Sequence, residues 1–84
     1  MKDFLIGEYI KRLTGEDIKD FARKEGITIN NDETEIIHSY LKTHWRTLLY
    51  GNPKKLLQEL KIKLNEDTYY KVEQLYIQLK NKIN

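Results

Sequence analysis

Ile36-Ile37-His38-Ser39-Tyr40-Leu41-Lys42-Thr43-His44-Trp45-Arg46-Thr47-Leu48-Leu49 decides the fold. Its apolar residues recur three and four apart, which is the spacing of an α-helix. At about 100° per residue, Ile36, Ile37, Tyr40, Leu41, His44, Trp45, Leu48 and Leu49 cover more than half of the circumference. A helix apolar over so wide an arc is enclosed on several sides. It is therefore the expected central element, with Trp45 as its largest core anchor. Asn31 or Asp32 is the expected cap, with the helix running over 33–50. Glu33 and Glu35 suit its first turn, where carboxylates meet the positive end of the helix dipole.

Downstream, Asn52-Pro53 restarts a helix, a cap followed by a first-turn proline. This fourth helix is expected to about 63, with Leu56, Leu57, Leu60 and Leu64 as a narrow stripe. Asn65 or Asp67 caps a fifth, expected to about 82. It turns Tyr69, Val72, Leu75, Tyr76, Leu79 and Ile83 inward. Upstream, a first helix over 3–13 puts Leu5, Ile6, Tyr9, Ile10 and Leu13 on one face. Thr14 caps the second, with Asp17 three residues on as an acidic capping-box partner. That helix buries Ile18, Phe21 and Ala22. It ends at Gly26, the left-handed position, and Ile27 supplies the apolar contact of a Schellman turn. Ile27-Thr28-Ile29 is a short extended link. The loops are short and repeats are absent. The expected fold is all-α: a compact bundle of about five short helices, the third central, in one domain over 1–84.

The chain has 84 residues, 39% apolar and 33% charged, which fits a globular protein and leaves little area for an enclosed active site. There is no cysteine, so disulfides and thiolate chemistry are excluded. No apolar run approaches the ~18–20 residues of a membrane span. The opening residues 1–8 carry no secretory apolar segment, and a cytoplasmic location is expected. The net charge of +2 is unevenly placed. Residues 1–42 hold seven Lys/Arg against nine Asp/Glu, and residues 43–84 hold eight against four. Abundant Lys, Ile and Asn, with Ala22 the only alanine, read as the imprint of an AT-rich bacterial genome.

The residues offer little for catalysis. His38 and His44 point about 120° apart on one helix and cannot share a metal there. His44, mid-face, is expected to be a hydrogen-bonded core histidine. Glu35-x-x-His38 matches one half of a di-iron carboxylate motif, but the second half is missing. The clusters Glu16, Asp17, Asp20 and Asp32, Glu33, Glu35 sit at helix starts, where the dipole alone accounts for them. Asn30-Asn31-Asp32-Glu33 lacks the spaced ligands of a calcium loop. Ser39 has no nucleophile context, and no glycine-rich phosphate loop occurs. No enzyme activity, cofactor, metal or small-molecule substrate is expected.

Binding is the better reading. Tyr70 and Ile77 are seven residues apart and fall on one line outside the buried arc of the fifth helix. Ile62 lies opposite the leucine stripe of the fourth. Together they can form an exposed apolar strip with Lys63, Glu73, Gln74 and Asn81 around it, a pattern of interaction sites. The expected partner-binding residues are Ile62, Lys63, Tyr70, Gln74 and Ile77. The expected partner is another protein or a second copy of this chain. The alternative is weak, salt-sensitive nucleic-acid binding through Lys54, Lys55, Lys61 and Lys63. A helix-turn-helix is suggested by Phe21-Ala22-Arg23-Lys24-Glu25-Gly26-Ile27. It is disfavoured by the long link and by Asp32, Glu33 and Glu35 opening the next helix, where they would repel phosphates.

The segments Thr14-Gly15-Glu16-Asp17-Ile18, Lys24-Glu25-Gly26-Ile27-Thr28-Ile29, Gly51-Asn52-Pro53-Lys54-Lys55-Leu56-Leu57-Gln58-Glu59-Leu60 and Tyr70-Lys71-Val72-Glu73-Gln74-Leu75 resemble the YqfT-like family, short uncharacterised proteins from Bacillus-type bacteria. The resemblance spans nearly the whole chain. It implies a small cytoplasmic helical protein and transfers no functional residues.

Overall fold

Five helices follow one another in a computed structural model: α1 (Lys2–Arg12), α2 (Gly15–Lys24), α3 (Asn31–Tyr50), α4 (Lys54–Lys63) and α5 (Glu66–Ile83). The structure describes residues 2–83, with side chains over 4–82, and holds no strand among them. Met1, Asn84 and the side chain of Ile83 lie outside the described residues. The radius of gyration is 12.0 Å, close to the roughly 12 Å of a compact chain of this length.

Local signals set most boundaries. Thr14 and Asp17 form a reciprocal capping box: the Asp17 amide donates to Thr14 Oγ1 (3.2 Å) and the Thr14 amide to Asp17 Oδ2 (3.0 Å). Gly26 adopts φ +76°, the region glycine enters without strain. The Ile27 amide then reaches the Ala22 carbonyl (2.8 Å) and the Gly26 amide the Arg23 carbonyl (3.0 Å), which completes the Schellman turn. Asn65 Oδ1 accepts from the Thr68 amide (2.8 Å) and so caps α5. α3 begins earlier than expected. Asn30 is its cap, and Asn30 and Glu33 form a second capping box at 2.8 Å in each direction. Asn31 instead accepts from the Lys19 ammonium.

α3 is the hub and packs on α1, α2 and α5, while α4 packs on α5. Two apolar clusters result. One joins Ile10, Leu13, Leu41, Leu48 and Leu49; the other joins Ile18, Ala22, Ile29 and Leu75. Between them lies a cavity of about 90 Å³, walled by residues of both.

Three expectations are corrected. Trp45 is half-buried at the edge of the first cluster, and Ile10 is the largest fully enclosed side chain among the described residues. The indole lies against Gly7, where a Cβ would come within 2.8 Å of it, so α1 needs glycine there to approach α3. Leu5 and Tyr9, expected on the buried face of α1, are exposed. Ile10 and Leu13 supply the buried contact of α1 with the first cluster. Finally, α3 is kinked: His44 has φ −124° and ψ 19°, outside the helical range.

Candidate functional site

The inner face of α5 is set by Thr68, Val72 and Leu75, all buried. At about 100° per residue, Tyr70 and Ile77 fall on the opposite side, about 20° apart. Tyr70 is 62% exposed and Ile77 41%. Gln74 lies between them along the helix and is half-buried. The two large apolar residues of the α5 strip therefore face outward on one line. Ile62, 85% exposed, stands on the outward side of α4, two residues from the buried Leu60.

The lysines of α4 take separate positions. Lys54 and Lys55 are exposed in the first turn. The Lys61 ammonium lies 6.0 Å from the Tyr69 ring of α5. Lys63 turns the other way, donating to the Tyr40 hydroxyl of α3 at 2.9 Å. That bond holds the Lys63 ammonium above its ordinary pKa. The two are about 200° apart on the helix, so they serve two different neighbours.

One acidic residue has a structural part that its position in the sequence did not show. Glu33 is buried beneath α5. Its Oε1 accepts from the Asn30 amide and lies 3.6 Å from the Lys71 ammonium, while Oε2 accepts from the Thr68 hydroxyl at 2.5 Å. Burial pushes its carboxyl pKa up, but the bonds from Thr68 and Asn30 and the charge of Lys71 outweigh it and hold it below the ordinary value. A general acid or base works best with a pKa near the operating pH. Glu33 is shifted away from that range and ties α3 to α5. Only the Asn30/Glu33 spacing could have hinted at it.

The hydrogen bond expected of His44 is not the one the structure shows. His38, not His44, makes the interior hydrogen bond, donating from Nε2 to the Leu13 carbonyl at 2.9 Å. The end of α1 leaves that carbonyl without a helical partner, and His38 supplies one. His44 sits at the kink with its ring against Tyr40, centroids 5.6 Å apart. Among the described residues no group of three or more His, Cys, Asp or Glu side chains is placed to hold a metal ion. Among the described residues, no helix is long and apolar enough to cross a membrane. No family model matches the chain, and neither a curated protein nor a solved structure matches it.

Proposed function

We infer that this chain is a small helical interaction module, without chemistry of its own, that binds protein through the outer face of α5. The observation that carries this reading is the exposure of Tyr70 and Ile77 on one line of that helix. Large apolar groups ringed by Glu73, Gln74 and Asn81 have the make-up of an interface, where aromatic anchors dominate the binding energy. Ile62, exposed on α4, belongs to the same reading, whereas Lys63 turns to the Tyr40 hydroxyl of α3. A second copy is the first partner to test. Tyr70 and Ile77 lie symmetrically about the Glu73–Gln74 step. Two α5 helices laid antiparallel then set each Tyr70 against the partner's Ile77. The same symmetry brings Glu66 towards the partner's Lys80, an attractive pairing at the flank. A cytoplasmic setting and the resemblance to the YqfT-like family belong to this reading and assign no further residue.

Sedimentation velocity over a concentration series tests it, with Tyr70→Asp and Ile77→Asp beside the natural sequence. The natural chain is expected to associate as concentration rises. Both variants are expected to stay monomeric, with stability changed by no more than about 0.5 kcal/mol, as for surface positions generally. A natural chain that stays monomeric throughout removes the second copy as partner. Folded variants that associate unchanged remove the strip. Runs with added oligonucleotide at low and high salt read the alternative: co-sedimentation lost on adding salt points to the lysines of α4.

A further inference from the structure

The cavity at the centre of the bundle takes side chains from every helix: Leu13 of α1, Phe21 of α2, Leu41 and Leu49 of α3, Leu60 of α4 and Leu75 of α5. It holds about 90 Å³ and is partly open to the surface.

Three of the four polar side chains on the wall are already engaged. The Tyr76 hydroxyl donates to the Leu48 carbonyl (2.8 Å), the Tyr40 hydroxyl accepts from Lys63 (2.9 Å), and Asp17 Oδ2 accepts from the Thr14 amide (3.0 Å). A water needs two to four polar partners to occupy such a space, so the cavity favours apolar contents. An apolar cavity of about 150 Å³ made by mutation in another protein stays dry and takes benzene or xenon.

α3 bends where it passes this space. The kink at His44 lies between the wall residues Tyr40 and Leu41 on one side and Leu48 and Leu49 on the other. α3 contains neither proline nor glycine, the commonest local causes of a kink. The wall also reaches the surface: Tyr9, which lines the cavity, is 55% exposed.

We propose that the central cavity is a binding site for one small apolar molecule, of the size range from xenon to benzene, which enters beside Tyr9. The site is independent of association through α5, since neither Tyr70 nor Ile77 lines it.

Xenon and benzene are titrated separately into the full chain carrying labelled methyl groups, and methyl shifts are followed by NMR. Saturable shifts at Leu41, Leu60 and Leu75 are expected with at least one probe, together with a Tm that rises with its concentration. Shifts confined to exposed Leu5 and Ile77, or no saturable shift with either probe in the folded protein, overturn the proposal. Val72→Ile adds one methyl to a buried wall residue, and Leu79→Phe fills the space from another position. Each is expected to weaken the bound probe at least tenfold. Unchanged binding in either folded variant also overturns the site, and the titration of the natural chain decides alone if neither folds.

Discussion

The starts of α3 and α4 are opposites. α3 opens on a reciprocal capping box, carries Asp32 and Glu33 in its first turn, and has a buried carboxylate bonded to α5. α4 opens on Pro53, whose side chain caps nothing, and its first turn holds Lys54 and Lys55 with no acid. Asn52 Oδ1 takes the Lys54 amide at 3.1 Å, one bond without a reciprocal. Lysines beside the positive end of a helix dipole oppose it. α3 is thus fixed by its own first turn, whereas α4 is held by the leucines it buries. Isolated helices of about ten residues are marginal in water, so α4 depends on its packing.

The largest break in that contrast is Leu60→Ala. Leu60 is 2% exposed and is the buried anchor of α4. Its truncation is expected to cost about 2–5 kcal/mol in urea unfolding. Hydrogen exchange should show the amides of α4 opening before those of α3. If α3 opened first, α4 would not be the helix that depends on packing.

Thr68→Val tests the other start. It removes the hydroxyl bonded to Glu33 with little change of shape, and about 1–3 kcal/mol is expected from a buried carboxylate left short of a partner. Its sign with pH is also fixed. The folded pKa of Glu33 is lowered, so its contribution is present above the unfolded value, about 4.3, and is lost as pH falls through the folded one. Urea unfolding between about pH 6 and pH 3 should therefore show a stability loss that Thr68→Val diminishes, because burial then meets less opposition. An identical pH profile in the variant would place the acid sensitivity elsewhere.

The smallest effect sharpens the contrast from the α4 side. Lys54→Glu puts an acid where the dipole favours one, and a gain of about 0.3–1 kcal/mol is expected by thermal melting at low salt, shrinking as salt is added. A loss would show that Lys54 has a favourable part that its exposed position conceals.

The two starts also differ in how far they could be read. Asn52-Pro53 marked where a helix restarts, but the cap falls one residue later than expected: Pro53, not Asn52, is the N-cap, and α4 begins at Lys54. At α3, the choice between Asn30, Asn31 and Asp32 depended on which side chain finds a reciprocal partner, and Glu33 answers Asn30. The outward line of Tyr70 and Ile77 was legible too, since helical spacing alone separates it from Val72 and Leu75. The histidines were not. Nothing near His38 in sequence reveals that the Leu13 carbonyl, 25 residues away, lies within reach.

The sequence by itself determined five helices, the turn at Gly26, the cap at Thr14 and α3 as the hub, and it narrowed the cap of α5 to Asn65 or Asp67. Each follows from backbone bonding and apolar spacing over a few neighbouring residues. Only the tertiary structure decided that Leu5 and Tyr9 stay bare, that Trp45 rests at the edge against Gly7, that Glu33 is buried, and that a cavity separates the two clusters. Those outcomes depend on what another helix places opposite, and no single helix carries that information.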